Sequence, residues 1–345
     1  TRTCAVFLGL FLFVGSASIA QEKEPIVHDA EYYVLLSQNQ ERWVAEDAEI
    51  DARLAEIRAR NVGRPPNIIH ILWDDTAFGD VGIPEIQKVR GFETPNLNRM
   101  GEEGIFLTRM YTEPSCTQSR AASLTGRHPI RHGMTHVGFP FENGGLRGDE
   151  VTIAEVLAPA GYATAFFGKA HLGDVEESYM HNQGFDEALF TPYNQVLSLW
   201  NPVGEGANAI LGLMQEQLAG DPYQLDENFL PKGWIMAIEG RKGEPGREWR
   251  GTSFEDFMAF DPEAEARTLD FVRRNAAADK PFFVAYWPNM TAFIPSPQKE
   301  TPGRGLFGEG IERVDAFVGQ LMAELEALGI AENTVIVAMA DNGPM

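Results

Sequence analysis

The stretch NIIHILWDD, residues 67–75, decides the fold of this chain. An apolar run from Ile68 to Trp73 leads directly into Asp74 and Asp75. A run that is apolar on both faces is typical of a strand inside a parallel sheet, where helices cover both sides. We therefore predict a buried parallel strand that ends in two acidic residues.

The stretch TVIVAMADNG, residues 334–343, repeats this plan, with Asp341 and Asn342 after its apolar run. Two further strands are predicted at YATAFFGKAH, residues 162–171, and at KPFFVAYWP, residues 280–288. Helical patterns separate the four runs, and they cover residues 94–104, 151–160, 262–276 and 308–328. This alternation predicts an α/β fold with a mostly parallel central sheet flanked by helices.

Three pairs of polar residues follow these strands, and in such sheets ligands bind beyond the carboxyl ends of the strands. The pairs are Asp74 with Asp75, Asp341 with Asn342, and Lys169 with His171. The two acidic pairs offer only oxygen ligands, and three carboxylates without a cation would repel one another. We therefore expect a hard divalent ion, Ca²⁺ or Mg²⁺, since zinc prefers His or Cys. The alternative is that each acidic pair only caps a following helix or turn.

The chain is expected to consist of three parts. Residues 1–20 show the signal-peptide pattern of a basic residue, a short apolar run and small residues. The apolar run is too short for a stable membrane span, so we expect export to the periplasm or the exterior. Residues 21–64 are predicted as a helical N-terminal extension, and the main domain follows at residues 65–345. Residues 188–255 have weak periodicity, which indicates either an insertion that shapes substrate access or ordinary surface loops.

The composition excludes two classes of partner. The chain has 345 residues, 44% of them hydrophobic, and a formal net charge of −22. That length suffices for a sizeable core in one large domain or two. So acidic a chain is not expected to bind nucleic acid or an anionic membrane surface. An anionic substrate stays open, because a binding site needs only a few local cations.

Cys116 is the only cysteine outside the predicted signal peptide, so the mature chain has no intramolecular disulfide. The residues after Cys116 predict a helix whose N-terminal amides would point at an anion. Arg120 would add the planar set of N–H donors of its guanidinium group. A thiolate is a soft ligand that suits a hard ion poorly. We expect its sulfur either to lie near the ion without binding it strongly, or to be replaced by oxygen. The alternative is a buried, inert thiol.

The stretch CTQSRAASLTGR, residues 116–127, resembles the signature of the type I sulfatases, which is Cys-x-Pro-Ser-Arg followed by Thr-Gly-Arg. Other stretches resemble the same family in the family's order: NIIHILWDD, TPNLNRMGEEGIFLTRMY, FFGKAHLGD, NQGFDE, KPFFVAYWPN and NTVIVAMADNGP. The resemblance covers about residues 66–345 apart from the middle insertion. It implies an alkaline-phosphatase-like fold and a sulfatase catalytic domain at residues 65–345. It also implies that the C-terminal subdomain is missing, so we expect the chain to be a fragment.

The resemblance also implies a chemistry. In that family a formylglycine-generating enzyme oxidises the cysteine, and the hydrate of the resulting aldehyde attacks the sulfur of a sulfate ester. Formylglycine at Cys116 would thus be the nucleophile, Arg120 would orient it, and Lys169 and His171 would bind and polarise the sulfate. Ca²⁺ would be held by Asp74, Asp75, Asp341 and Asn342, with residue 116 completing the shell. The substrate would be a sulfated small molecule or saccharide.

The chain departs from the family pattern at three points. Gln118 occupies the position where the maturation system usually requires Pro. The segment after the strand at residues 280–288 lacks the family's leaving-group histidine, and the chain stops before another substrate-binding lysine. Two alternatives therefore stay open. One is a catalytically impaired, sulfate-binding protein with an unmodified Cys116, and the other is a phosphate or phosphonate ester hydrolase on the same scaffold.

Overall fold

The computed structural model describes residues 30–60, 63–138, 142–194, 237–251, 254–289 and 305–343. The predicted signal peptide and the central part of the predicted insertion, residues 195–236, lie outside these ranges. The described residues divide into two compact units, the first within residues 30–60 and the second within residues 63–343. The first contains helix α1, Ala30–Arg60, in the segment where helical periodicity predicted one. Within the described ranges, no helix combines the length and apolar character that crossing a bilayer requires.

The second unit is built on a sheet that has seven strands in the described part of the chain. They are β1 Asn67–Trp73, β2 Ala163–Lys169, β3 Glu187–Thr191, β4 Ile238–Arg241, β5 Arg247–Glu248, β6 Phe282–Trp287 and β7 Thr334–Ala340. Their order across the sheet is β5-β4-β3-β2-β6-β1-β7. The strands from β3 to β7 in this order pair in parallel, and β4 and β5 add antiparallel pairs at one edge. The mostly parallel sheet is therefore confirmed, and the four predicted strands are β1, β2, β6 and β7.

Strands β3, β4 and β5 were not predicted as strands, and they lie at the two ends of the 188–255 stretch. Their sequences show little periodicity, because β4 has only 4 residues and β5 only 2. Both residues of β5 are exposed, so this edge strand carries no apolar run that a sequence pattern could reveal. The described ends of the stretch thus belong to the central sheet.

Helices cover both faces of this sheet, which explains why its central strands are apolar on both sides. They are α2 Pro84–Arg90, α3 Pro95–Glu103, α4 Cys116–Thr125, α5 Pro129–His132, α6 Ile153–Leu157, α7 Phe254–Ala277 and α8 Gly305–Ala327. One core cluster joins Phe167 of β2 to Phe271 of α7 and to α8. The other joins the neighbouring Phe166 to Leu124 of α4 and to α6. Successive residues of β2 thus pack into core clusters on opposite faces of the sheet.

One acidic side chain is half-buried on the face of the sheet that α7 and α8 cover. The carboxylate of Glu265, on α7, accepts a hydrogen bond from the Tyr286 hydroxyl at 3.4 Å and lies 3.8 Å from Nε of Arg313. Burial raises the pKa of Glu265 to about 7; Arg313 opposes this shift and Asp261 adds to it. This group therefore makes the stability of the fold depend on pH near neutrality.

Candidate active site

The carboxyl ends of β1 and β7 bring the two acidic pairs together. These strands pair in parallel with Trp73 opposite Ala340, so Asp74 and Asp341 follow at the same level. The Asp341 amide donates a hydrogen bond to the Trp73 carbonyl at 3.0 Å. The Asp75 amide donates to Oδ1 of Asp341 at 3.1 Å, and all three carboxylates are buried. The predicted convergence of the acidic pairs is therefore a consequence of adjacent parallel strands.

Asn342 joins this cluster through its side-chain amide. Its Nδ2 donates hydrogen bonds to Oδ1 of Asp75 and, at 2.7 Å, to the carbonyl of Gly343. Its Oδ1 is buried and has no hydrogen-bond partner among the described residues. Because an unsatisfied buried acceptor costs roughly 1–3 kcal/mol, this oxygen is suited to a ligand that the protein itself does not supply.

Helix α4 directs Cys116 and Arg120 toward the same cluster. Cys116 is the first helical residue, and Arg120 follows four positions later, a spacing that puts both on one helix face. The buried guanidinium of Arg120 donates to Oδ2 of Asp341 from Nε at 2.8 Å and to Oδ1 of Asp74 from Nη2 at 3.3 Å. Its Nη1 donates to the Lys169 carbonyl at 2.7 Å. Arg120 therefore ties α4 to the ends of β1, β2 and β7.

Lys169 is the last residue of β2, and its ammonium is fully buried. Its Nζ lies 2.5 Å from Oδ1 of Asp74. Burial would lower the pKa of Lys169, but the Asp74 carboxylate outweighs burial and raises it. Lys169 therefore stays charged and shares the Asp74 carboxylate with Arg120.

His171 lies beside these groups and is neutral. Its Nε2 is 2.9 Å from the Gly138 carbonyl, so Nε2 carries the proton and Nδ1 is an acceptor. Nδ1 is buried without a hydrogen-bond partner in the described chain. Burial, followed by the Lys169 charge, lowers the pKa of His171 to about 3. The Gly138 amide donates to Oγ1 of Thr117 at 3.0 Å, which connects His171 to the residue after Cys116.

The cluster contains one more negatively charged side chain than positively charged side chains. Three carboxylates, those of Asp74, Asp75 and Asp341, face the two cations of Arg120 and Lys169. Burial, and then the Asp74 charge, raises the pKa of both Asp75 and Asp341. Burial would also raise the pKa of Asp74, but Lys169 and Arg120 hold it well below its usual range. A cation beside Asp75 and Asp341 would relieve this excess of negative charge.

The thiol of Cys116 is buried within the same cluster. Ligand atoms of Cys116, Asp74 and Asp341 all lie within 4.8 Å of one another. Burial raises the pKa of Cys116 to about 11, so near neutral pH the group is a thiol and not a thiolate. Since the thiolate is the reactive form, the unmodified side chain is a poor nucleophile and a poor metal ligand.

Two residues near this cluster, Asn194 and Trp287, were not predicted from the sequence. Nδ2 of Asn194 donates to Oδ2 of Asp74 at 3.3 Å, and the indole of Trp287 lies under Arg120. Gln118, predicted to affect maturation, accepts a hydrogen bond from Oγ of Ser115 in the first turn of α4. Trp287 closes an ordinary apolar run and Asn194 follows an unpredicted strand, so no sequence pattern singled them out.

The chain is similar in sequence to known proteins. A family model described as Sulfatase matches residues 66–345. Arylsulfatase A of Homo sapiens is 36% identical over 298 residues, which cover 82% of this chain and 53% of the relative. N-acetylgalactosamine-6-sulfatase of Canis lupus familiaris is 31% identical over 312 residues, which cover 84% and 52%.

A solved structure shares the fold. It is described as the PsFucS1 sulfatase from Pseudoalteromonas sp., with a TM-score of 0.70 and 28% identity. The match covers 85% of this chain and 58% of that one. The chain spans about half the length of the curated relatives it matches.

Proposed function

The chain belongs to the sulfatase family, and we propose that it hydrolyses a sulfate ester at the cluster around Cys116. The observation that carries this proposal is that Cys116, Asp74 and Asp341 present their ligand atoms within 4.8 Å of one another. Arg120 and Lys169 contact the same carboxylates. A nucleophile precursor, cation ligands and anion-binding cations thus meet in one buried place.

Ca²⁺ is the metal that we assign to this cluster, with Mg²⁺ as the other hard ion that its donors suit. The ligands would be Asp74, Asp75, Asp341 and Asn342, together with an oxygen on residue 116. The orphaned Oδ1 of Asn342 and the surplus of carboxylates fit a hard divalent cation. The bound ion would supply positive charge for the transferred group.

Residue 116 is proposed to act as formylglycine, made from Cys116 by a maturation enzyme. The modification would supply a hydrated aldehyde whose hydroxyl attacks sulfur, which a buried thiol with a raised pKa cannot do. The start of α4 directs the residue into the cluster, and burial keeps bulk water away from it.

The remaining side chains are proposed to bind and stabilise charge. Arg120 and Lys169 are positively charged and fully buried, so their attraction for sulfate oxygens would act in a low dielectric. His171 stays neutral, because its pKa is lowered to about 3, and its Nδ1 lone pair can accept a hydrogen bond from a hydroxyl of the modified residue 116 or of the substrate. We therefore assign the polarisation of sulfate to Lys169 and Arg120, and to His171 hydrogen-bond acceptance in place of the sulfate polarisation that the resemblance implies.

The substrate is proposed to be a sulfated saccharide or small molecule, encountered after export. The name of the relative N-acetylgalactosamine-6-sulfatase supports the saccharide class. The pattern at residues 1–20 supports a periplasmic or extracellular location.

The test is turnover of 4-nitrophenyl sulfate and 4-nitrophenyl phosphate by chain made together with a formylglycine-generating enzyme. We expect sulfate turnover that EDTA abolishes and Ca²⁺ restores, and a Cys116 peptide whose mass shows the aldehyde. Lys169→Met should lower kcat by roughly a hundredfold or more. Lys88→Met, at an exposed position of α2, is the matched control and should leave kcat unchanged.

A sulfate-binding protein without turnover is the second candidate function. It is favoured by Gln118, whose side chain pairs with Ser115 where the maturation system usually requires Pro. An unmodified Cys116 in protein from the native host would select this candidate. Faster turnover of the phosphate ester would instead select a phosphoester hydrolase.

A further inference from the structure

Trp287 lies directly beneath Arg120, one of the two cations of the proposed active site. It is the last residue of β6, and its side chain is fully buried. Cζ of Arg120 lies 5.3 Å from the centroid of its ring. The N–H groups on the edge of the guanidinium are engaged by Asp341, Asp74 and the Lys169 carbonyl. The indole thus supports Arg120 without competing for these acceptors.

The backbone of Trp287 also supports the strand that carries Lys169. Gly168 and Trp287 are partners in the pairing of β2 with β6. A Cβ atom on Gly168 would lie 1.8 Å from the Trp287 carbonyl oxygen, so only glycine permits this approach. Lys169 is the next residue after that contact. The ring of Trp287 therefore contacts Arg120, and its backbone packs against the residue that precedes Lys169.

Aromatic neighbours hold the Trp287 ring in place. The ring of Phe166 meets it edge to face with centroids 4.9 Å apart, and His70 does so at 5.6 Å. Burial, and then Arg120, lowers the pKa of His70 to about 4, so His70 adds no positive charge beside Arg120. Nε1 of Trp287 has no hydrogen-bond partner in the described chain. The ring face, and not the indole N–H, is therefore the part that matters.

We propose that Trp287 is a positioning residue, whose ring face and backbone hold Arg120 and Lys169 against the carboxylates of Asp74 and Asp341. The inference rests on the proposed function, because it assigns Trp287 a role in that same site. A desolvated cation over an aromatic ring gains attraction that an aliphatic side chain cannot provide. Without the ring, Arg120 would lose part of its orientation, and so would the carboxylates that it aligns for the metal.

The chain offers a matched control for a purely structural role. Trp249 follows β5, is also buried and also packs edge to face on a phenylalanine, Phe260. Cζ of Arg250 lies 4.8 Å from its ring centroid. Among the residues that the structure describes, this second tryptophan–arginine pair makes no hydrogen bond, ion pair or ring contact with the cluster around Cys116. Its removal should cost packing energy and leave the site unchanged.

The experiment compares Trp287→Leu, Trp287→Phe and Trp249→Leu with the wild-type chain. Calorimetric titration of Ca²⁺ into chelator-treated protein gives Kd, and 4-nitrophenyl sulfate kinetics of the matured protein give kcat and KM. We expect Trp287→Leu to weaken Ca²⁺ binding about tenfold and to lower kcat about tenfold, with little change in KM. Trp287→Phe should restore both to within about threefold, because it keeps an aromatic face and loses no hydrogen bond.

Trp249→Leu should lower the unfolding temperature yet keep Kd and kcat near the wild-type values. The inference is overturned if Trp287→Leu changes only the unfolding temperature, or if Trp249→Leu changes Kd equally. A wild-type chain that binds Ca²⁺ but shows no turnover would remove the proposed function, and the Ca²⁺ titration would still decide the inference. A wild-type chain that binds no Ca²⁺ would overturn both.

Discussion

Gly168→Ala is the substitution whose cost the structure defines most sharply. The new Cβ would lie 1.8 Å from the Trp287 carbonyl oxygen and 2.4 Å from its carbonyl carbon, inside a fully buried strand. Strands β2 and β6 would have to separate by roughly 1.5–2 Å to restore an ordinary contact. The backbone of Gly168 also has a φ of 132°, which L-residues rarely adopt.

The expected cost combines these two effects. Holding alanine at positive φ costs about 1–2 kcal/mol, and overpacking a buried contact costs about 1–3 kcal/mol. We therefore expect Gly168→Ala to lower the free energy of unfolding by about 2–5 kcal/mol, which for a domain of this size lowers Tm by roughly 10 °C. Because Lys169 follows directly, kcat should fall as well.

Urea unfolding followed by circular dichroism measures this cost, and Gly161→Ala is the matched control. Gly161 also has a positive φ, 95°, but no atom would lie within 4 Å of its Cβ. The control should therefore show only the strain, about 1–2 kcal/mol. Equal losses for the two variants would refute the reasoning, because the close approach of Trp287 would then have no energetic consequence.

Three other predictions concern the metal, the cysteine and pH. Saturating Ca²⁺ should raise Tm by roughly 5–10 °C relative to protein in EDTA. The Asp75→Asn variant should lose this shift. The Asp80→Asn variant should retain it, because Asp80 is buried outside the proposed metal site. Cys116→Ser should fold with a Tm within a few degrees of wild type and show no sulfate turnover; turnover equal to that of wild type would contradict the assigned nucleophile. Because the pKa of Glu265 is raised to about 7 in the folded state from an ordinary 4.5, the native state binds the extra proton. Stability should thus fall by roughly 2–3 kcal/mol as pH rises from about 4.5 to 7, and Glu265→Gln should lose this contribution in urea titrations across that range.

Much of the fold could be predicted because its central strands are apolar on both faces. β1, β2 and β6 each form a run that a sheet covered on two sides buries. β7 is as apolar, but it lies at the end of the strand order and leaves Val335 and Val337 exposed, so the prediction that it repeats the buried plan of β1 is wrong in this respect. β4 and β5 escaped prediction because they are short and bury few side chains, and β3, although mostly buried, has only 5 residues. Their positions depend on successive pairing of β3 with β2, β4 with β3 and β5 with β4, and no local pattern records that pairing.

The sequence predicted which residues belong to the candidate site, but not which of their atoms contact one another. Parallel strands place their carboxyl ends at one edge, so the polar residues after β1, β2 and β7 had to come close. Which atoms meet is a different matter. The ammonium of Lys169 contacts Asp74, and His171 keeps its proton on Nε2 because that nitrogen faces the Gly138 carbonyl. These contacts depend on where Arg120 and Gly138 lie in the folded chain.

The sequence by itself determined the α/β architecture, the acidic pairs at the strand ends and the helix that begins at Cys116. Only the tertiary structure decided that Trp287 lies beneath Arg120 and that Oδ1 of Asn342 has no hydrogen-bond partner within the described ranges. The physical reason is range. Burial and periodicity act along a few neighbouring residues and leave a pattern, whereas the partner of a buried charge is chosen by packing between segments far apart in the chain.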